Sequence, residues 1–299
     1  MIPPQAMDDK APATGNSRIS FHKPRFSDIR DSGYTCVDMH THTVYSDSGI
    51  TVAGLLTRAE QLGIGVAITD HNEIGGVIEA YETAPTVPVI PGIEVSALDG
   101  PHILIYFSTV PALADFFERY VKDARQESPF MAIRLSTEEI VTRAEQYDCL
   151  KVAAHPYGYA VINRGLLKCV DKGLLPPMLP DRFDAIEVIC GGMTRTLNRR
   201  AIAFAEEKTC GITGGSDAHC LSAVGSAVTC CRSSTTEGFL SGIRERKNSV
   251  AGTGISNFSK GVTIGIIAGK YLPYTIPSLK IHYEQTVPRF RRFIGRLRK

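Results

Sequence analysis

Residues 35–48 read TCVDMHTHTVYSDS, and this stretch decides the fold. Its first five residues, Thr35–Met39, combine β-branched and apolar side chains in the way that is typical of a short strand. Two histidines and an aspartate follow at once. Similar β-rich runs recur along the chain, separated by turn residues. The predicted strands are Thr35–Met39, Gly65–Thr69, Val87–Ile90, His102–Phe107, Leu150–Ala153, Ala185–Ile189 and Gly211–Thr213.

Amphipathic stretches lie between these strands. In Val52–Leu62 the apolar residues fall at 52, 55, 56, 59 and 62, which is the spacing of one helix face. Pro111–Ala124, Thr137–Tyr147 and Leu197–Glu207 are also predicted to be helical. Alternating strands and helices predict an α/β fold with a mainly parallel sheet covered by helices. A barrel and an open doubly wound sheet both fit this pattern.

Composition sets limits on the class of protein. The chain has 299 residues, of which 43% are hydrophobic, and a net charge of +2, so it is not a general binder of polyanions. Its eight cysteines are scattered, which favours buried or free thiols over disulfides. The first residues lack the apolar run of a secretory signal, and no stretch approaches the ~20 apolar residues of a membrane span. We therefore expect a cytoplasmic protein.

Three segments are predicted from the distribution of residue types. Residues 1–32 are rich in Pro, Asp, Ser and Ala and are expected to be flexible. Residues 33–259 form the folded domain, with a mostly helical insertion at about 108–149 that breaks at residues 127–129. Residues 260–299 form an extension that ends in a run of arginines with interleaved apolar residues.

Six of the eight histidines lie at strand ends, or at the start of a predicted strand, and carboxylates accompany them. In parallel α/β folds, ligands bind at the carboxyl ends of the strands. A lone histidine is more often a structural residue than a ligand, but six motifs at strand ends are improbable by chance. Imidazoles and carboxylates without cysteine suit divalent Mn, Fe or Zn. The motifs are HTH, TDH, GIEVS, HILIYF, AHP and GSDAH.

The segments DMHTHTVYSDS, ITDHNEI, PGIEVSA, AAHPYG and GGSDAH resemble the motifs of the PHP (polymerase and histidinol phosphatase) family, in order as well as in letters. The match runs from about Tyr34 to about Thr253. The resemblance implies a distorted (β/α)7 TIM-like barrel with a trinuclear metal site at the C-terminal face of its strands. It also implies hydrolysis of phosphoesters. One departure is that the glycine of the usual Ser-Asp-Gly is displaced by one, to Gly49.

The resemblance also implies a set of metal ligands, position by position. One ion would be held by His40, His42, Glu94 and Asp217. Glu94 would bridge to a second ion, which His102 and His155 also bind. Asp47, His71 and His219 would hold a third ion. Two or three divalent ions per chain are therefore expected.

As a mechanistic hypothesis, a hydroxide that bridges two ions would attack phosphorus. The residues predicted to be catalytic are Glu94, Asp217 and Asp70, with Asp70 favoured as a residue that orients a ligand. Cations beyond the metals would recognise phosphate, and the candidates are Arg164, Arg195 and Arg134. Glu187 is a buried strand carboxylate that could hold a ligand histidine.

The expected substrates are nucleotides or the 5′ ends of short, single-stranded oligonucleotides. One alternative is a small-metabolite phosphatase, such as a histidinol phosphatase. An alternative of another class is a non-catalytic, metal-containing regulatory or binding module, although structural zinc sites are commonly closed and rich in cysteine. The basic C-terminal tail could contact nucleic acid or an anionic surface, or could simply be solvated.

Overall fold

Ten strands form one mixed sheet in a computed structural model that describes residues 18–26, 33–158 and 164–285. The order across the sheet is β1-β10-β9-β2-β3-β4-β5-β6-β7-β8. The strands are β1 Ile19–Ser20, β2 Thr35–Thr41, β3 Gly65–Ile68, β4 Val89–Ser96, β5 His102–Phe107, β6 Cys149–Ala153, β7 Ala185–Cys190, β8 Gly211–Gly215, β9 Ala227–Cys231 and β10 Ser249–Gly252.

Helices connect most of these strands, and side-chain caps define several of their first residues. Thr51 caps the first helix, and Ser136 and Glu139 form a reciprocal capping box at the fourth. The helices are α1 Val52–Leu62, α2 Gly75–Glu82, α3 Val110–Phe116, α4 Thr137–Ala144, α5 Leu166–Asp171, α6 Arg195–Lys208, α7 Thr236–Arg244 and α8 Asn257–Tyr271. Helix α3 continues as a π turn and a 3-10 turn to Ala124, and the break predicted at residues 127–129 falls in the loop before α4.

The α/β class is confirmed, but the sheet is less parallel than expected. Five of the nine strand pairs are parallel and four are antiparallel. Strand β5 runs antiparallel to both of its neighbours, because β4 returns directly into it through a short turn rather than through a helix. The start of β5 therefore lies at the same edge as the carboxyl ends of β2, β3, β4, β6, β7 and β8.

The sheet curls until its end at β8 comes close to β2. Ala218, just beyond β8, forms an isolated parallel bridge with Thr41, and the Asp217 amide donates to the carbonyl of His40 at 2.8 Å. A Cβ at Gly215 would lie only 2.3 Å from the Cβ of His40, so glycine permits this close approach. Seven strands, from β2 to β8, thus surround one interior.

Apolar side chains fill one half of this interior. Alternate residues of the strands, such as Val37, Met39, Leu104 and Val152, pack there with residues of α7. A larger apolar layer lies between the outer face of the sheet and the surrounding helices. Because one end of the interior is filled with apolar side chains, its polar side chains collect at the other end, where the strands finish.

One expectation from the sequence was wrong. Cys36 and Cys230 form a disulfide, because they face each other on the antiparallel strands β2 and β9 with a Cα–Cα distance of 4.1 Å. Strand β9 was not foreseen, so this pairing could not be inferred. The other cysteines are thiols, and five of them are buried, as expected.

Residues 257–285 pack along the mouth of the curled sheet, and we call them the C-terminal arm. The arm consists of α8, a 3-10 turn at Leu272–Tyr274 and the helical residues 275–285. Ile281 of the arm is buried against Met131 and Ala132. The predicted domain boundaries stay a prediction, and residues 1–17, 27–32 and 286–299 lie outside the described residues. No helix among the described residues is long and apolar enough to cross a membrane.

Candidate metal centre

Nine buried side chains meet at the strand ends. His40 lies in β2 and His42 follows it, while Glu94 lies within β4 and His102 is the first residue of β5. The other members lie in the loops that follow β2, β3, β6 and β8. All nine are at most 5% exposed. The structure thus brings together the full set that the resemblance implies: His40, His42, Asp47, His71, Glu94, His102, His155, Asp217 and His219.

The carboxylate of Glu94 lies at the centre of the cluster. Its Oε1 atom is 3.0 Å from His102 Nδ1 and 3.0 Å from His155 Nε2. Its Oε2 atom is 3.0 Å from His71 Nδ1 and 3.3 Å from the Nε2 atoms of both His40 and His42. One carboxylate therefore contacts five imidazoles.

Two further carboxylates complete the cluster. Asp217 Oδ1 lies 3.2 Å from His42 Nε2, and Asp47 Oδ1 lies 3.1 Å from His219 Nε2. Asp47 Oδ2 is 3.7 Å from His71 Nε2. Three overlapping sets have ligand atoms within 4.8 Å of one another: His42, Asp47, His71 and His219; His40, His42 and Glu94; and His71, Glu94 and His102.

This arrangement fits divalent cations better than it fits hydrogen bonding alone. His40 Nε2 and His42 Nε2 lie 3.1 Å apart, so two lone pairs face each other unless a proton or a cation lies between them. His42 Nδ1 and Glu94 Oε2 are buried without a hydrogen-bond partner in the described part of the chain. Converging imidazole and carboxylate atoms of this kind form a cluster able to bind metal.

Electrostatics divide the imidazoles into two groups. Burial lowers the pKa of His71 to about 3 and that of His102 to about 4, so both imidazoles are neutral at neutral pH. Burial also disfavours charge on His219, but the adjacent Asp47 and Asp217 outweigh it and raise the pKa of His219 to about 9. Surrounding imidazoles hold the pKa values of Glu94 and Asp217 well below their usual range, although burial opposes this.

Cysteine is not a member of the cluster, although Cys190 Sγ lies 3.8 Å from Asp217 Oδ2. Burial raises the pKa of the Cys190 thiol well above its usual value, and Glu187 and Asp217 add to this. The sulfur is therefore a protonated thiol rather than a thiolate ligand.

Glu187 fixes two members of the cluster. Its Oε1 atom is 3.0 Å from His40 Nδ1, and its Oε2 atom accepts a hydrogen bond from the His155 amide at 2.6 Å. The first contact orients the His40 ring so that Nε2 points into the cluster. The backbone of His155 has a φ of 27° and that of Asp217 a φ of 53°, conformations that non-glycine residues rarely adopt and that the surroundings must enforce.

Asp70 contacts the loop after β2 rather than the centre of the cluster. Its carboxylate accepts hydrogen bonds at 2.6 Å from the amide and hydroxyl of Thr43 and from the hydroxyl of Ser46. These bonds hold the turn that carries Asp47. The geometry therefore favours a positioning role for Asp70, and its predicted catalytic role stays a prediction.

Asp38, which sequence reasoning overlooked, joins the two ends of the curled sheet. Oδ1 accepts from the Ser216 amide at 2.8 Å, and Oδ2 accepts from the Gly225 amide at 2.8 Å. Burial raises the pKa of Asp38 to about 6, even though these amides favour its charged form. Asp38 stands two residues before His40 in the DMHTH motif, but the amides of Ser216 and Gly225 that it accepts from are distant in sequence.

We expect Asp38→Asn to lower the free energy of unfolding by about 1–3 kcal/mol, because the new amide group would present a donor to a backbone N–H. Denaturant unfolding of the metal-free protein would measure this. Asp148→Asn, at a side chain that is 75% exposed, is the matched control. Equal stability of the two variants would contradict the structural role of Asp38.

The three candidate arginines occupy different surroundings. Arg164 lies at the edge of the cluster, where its charge lowers the pKa of His102 and its carbonyl accepts from the His102 amide at 2.9 Å. The exposed Arg134 donates to the carbonyl of Arg125 at 3.1 Å. The guanidinium of Arg195, also exposed, lies 5.3 Å from the ring centre of Phe21. The structure therefore brings only Arg164 of the three into contact with a member of the cluster.

The C-terminal arm supplies a partly buried tyrosine that no sequence signal pointed to. The Tyr271 hydroxyl donates to the carbonyl of Phe130 at 3.1 Å, and its pKa is raised mainly by burial and also by Asp47 and Glu94. Lys270 donates to the carbonyl of Val44 at 3.2 Å. The arm thus forms one wall at the mouth of the cluster.

Comparisons with known proteins agree with this geometry. The family model described as PHP domain matches residues 38–167, and the one described as PHP-associated matches residues 195–248. A stretch of 123 residues is 28% identical to the 5′-3′ exoribonuclease Rnm of Escherichia coli (strain K12), covering 38% of this chain and 42% of the relative. The chain therefore matches less than half of the length of that relative.

Solved structures share the fold at low sequence identity. PsfC from Pseudomonas syringae PB-5123 is 18% identical with a TM-score of 0.55, covering 79% of this chain and 98% of that one. The lesion-specific endonuclease PfuEndoQ from Pyrococcus furiosus is 20% identical with a TM-score of 0.56, covering 73% of this chain and 57% of that one. At this level of identity the likeness concerns the fold.

Proposed function

We propose that this chain, which belongs to the PHP family, is a metal-dependent phosphoesterase that hydrolyses nucleotides or the 5′ ends of short oligonucleotides. The observation that carries the proposal is the convergence of six imidazoles and three carboxylates, all buried, at one end of the curled sheet. We regard this sheet as a distorted seven-stranded barrel and the cluster as a site for two or three divalent ions. A cytoplasmic location stays a prediction.

Two of the overlapping ligand sets, together with the contacts of Glu94, support the assignment of ions to residues. His40, His42 and Glu94 lie close together, and Asp217 Oδ1 lies 3.2 Å from His42 Nε2, which suits a first ion. Both His102 and His155 contact Glu94 Oε1, which suits a second ion. The set of His42, Asp47, His71 and His219 suits a third.

Bound ions would polarise the phosphoryl oxygens and lower the pKa of water. Side chains of the protein supply the charge and the orientation that these ions require. Glu94 supplies negative charge to the centre of the ligand set, and Glu187 orients His40. Asp70 holds the turn that carries Asp47. Asp217 supplies a second anionic oxygen beside His42, and we propose that this charge is needed for turnover.

Arg164 is the arginine best placed to bind a substrate phosphate. Its side chain lies near Met131 and Tyr271 at the mouth of the cluster, and its charge acts on His102. Guanidinium groups match phosphate oxygens in a bidentate fashion. Neither Arg134 nor Arg195 contacts a member of the cluster. We therefore propose that they bind only the outer part of a longer substrate.

A nucleotide or oligonucleotide substrate is supported by the name of the exoribonuclease relative. The walls at the mouth also favour a narrow, single-stranded substrate. The loop before α4 joins the arm, since Ser128 and Ser278 share a hydrogen bond at 2.9 Å and Tyr271 bonds to Phe130. These contacts bring two chain segments together beside the cluster.

The decisive assay follows phosphate or nucleotide release in the presence of Mn(II). Substrates would be a 5′-phosphorylated oligonucleotide, a 3′,5′-nucleoside bisphosphate and histidinol phosphate. We expect turnover of the first two and its loss in Asp217→Asn. Turnover of histidinol phosphate alone would replace the nucleotide proposal with a metabolite phosphatase. A metal-loaded protein inactive on every substrate would support a non-catalytic module instead.

Glu187→Gln tests the positioning role of that carboxylate. We expect a ten- to roughly hundredfold loss of metal affinity and a matching loss of turnover, because His40 would lose the acceptor that fixes its ring. Metal titration and kinetics at saturating Mn(II) would measure the two effects separately. Glu138→Gln, at a side chain that is 69% exposed, should change neither. Unchanged metal affinity in Glu187→Gln would contradict the role.

A further inference from the structure

The outer face of the C-terminal arm exposes an unusual number of apolar side chains. Of the twelve most exposed large hydrophobic residues in the described part of the chain, six lie between Phe258 and Tyr283. Ile276 is 81% exposed, Leu272 74%, Tyr283 65% and Leu279 64%. Exposed apolar residues that cluster in one segment mark an interaction surface.

Four of these residues form a continuous stripe. Leu272, Ile276, Leu279 and Tyr283 follow a spacing of four, three and four residues, so they lie on one side of the helical segment. The opposite side carries Ile281, which is 2% exposed and packs on Met131. The inner side therefore attaches the arm to the protein, and the stripe points away from it.

Charge identifies the kind of partner. Residues 257–299 contain nine Lys and Arg residues but only one acidic residue, Glu284. The whole chain has 33 basic and 31 acidic residues, so the remainder has 24 and 30 and is net acidic. The exposed Lys280 flanks the stripe. An apolar stripe within a segment whose sequence is rich in positive charge is the composition of helices that lie in the interface of anionic bilayers.

Nucleic acid and a second copy of the chain each fit one of these two features, the apolar stripe and the positive charge, but not both. Nucleic acid would suit the positive charge, but Leu272, Ile276 and Leu279 are aliphatic, so Tyr283 is the single stripe residue with a ring on which a base could stack. A second copy of the chain would cover the stripe but would bring two strongly basic segments together. A lipid surface accommodates both features, since lysines can extend to the headgroups while their neighbours enter the acyl region.

We propose that the C-terminal arm docks this protein, through Leu272, Ile276, Leu279 and Tyr283, on anionic lipid surfaces. The docked protein would lie on the membrane and not span it. The inner side of the same arm borders the metal cluster at Tyr271. Docking would thus hold the mouth of the site beside the lipid headgroups.

Vesicle sedimentation of the full chain tests the proposal. We expect binding to vesicles of phosphatidylcholine mixed with phosphatidylserine and little binding to phosphatidylcholine alone. Leu279→Ser should lower the partition coefficient about tenfold, because an aliphatic side chain no longer leaves water. Met178→Ser removes an apolar side chain of similar exposure, 69%, outside the arm, and should leave binding unchanged.

Three results would overturn the proposal. The first is vesicle binding that is equally strong with and without phosphatidylserine, or that Leu279→Ser and Met178→Ser weaken to the same extent. The second is failure to bind vesicles while a single-stranded oligonucleotide binds the chain and Leu279→Ser has no effect on that binding. The third is failure to bind vesicles together with a dimer, seen by analytical ultracentrifugation, that Leu279→Ser dissociates.

Discussion

Glu94→Gln is expected to lower kcat for 5′-phosphorylated oligonucleotides by at least about a thousandfold, because the bound ions supply several kcal/mol of transition-state stabilisation. Glu94 is the one carboxylate that contacts five imidazoles of the cluster. Glutamine keeps the volume but replaces an anionic oxygen with an amide. An amide nitrogen has no lone pair to offer a cation, so ligands common to two ions would be disturbed together.

Two measurements separate this effect from loss of the fold. The circular dichroism spectrum of the metal-free variant should match that of the unaltered protein, while its metal content after dialysis against Mn(II) should fall. Glu118→Gln, at a side chain that is 57% exposed, should keep full activity and metal content. Retention of activity within about tenfold in Glu94→Gln would show that Glu94 is not a shared ligand.

Removing metal by chelation is expected to lower the free energy of unfolding by about 3 kcal/mol relative to the protein at Mn(II) concentrations a hundredfold above its dissociation constant. For a domain of this size, that corresponds to a fall in Tm of roughly 5–10 °C. The physical reason is that the buried carboxylates of the cluster, such as that of Glu94, lose the positive charge of the ions. Differential scanning calorimetry with and without Mn(II) measures this change.

The stabilisation by Mn(II) should also depend on pH. In the metal-free protein the pKa of His219 is raised to about 9, so this imidazole carries a proton at neutral pH and must release it when an ion binds. The apparent affinity of the protein for Mn(II) should therefore rise as pH increases toward 9 and should weaken as pH falls. His71 and His102 contribute little, since their pKa values of about 3 and about 4 leave them neutral throughout. Equal Tm values with chelator and with Mn(II) would contradict the metal account.

Local sequence was enough to predict the elements that build the site. Helix α1 was predicted with its observed bounds, because Thr51 caps its start and Gly63 ends it in the left-handed conformation. Strand β5 was also predicted with its observed bounds. The nine residues that meet in the cluster were all named beforehand, because the resemblance to the PHP family implied them position by position.

Features that depend on distant contacts escaped prediction. The orientation of β5, the pairing of Cys36 with Cys230 and the bridging role of Asp38 all depend on strands that lie far apart in sequence. Strands β9 and β10 are short and lack a pattern that separates them from loops. Tyr271 belongs to the site only because the arm folds back over the mouth, which its own helical pattern does not reveal.

The most direct test of the central claim is a crystal structure of the protein grown with Mn(II), with anomalous diffraction recorded at the manganese edge. The account predicts two or three anomalous peaks within coordination distance of the nine clustered side chains, with Glu94 contacting more than one of them. Absence of any peak in the cluster, with Mn(II) at saturating concentration, would contradict it.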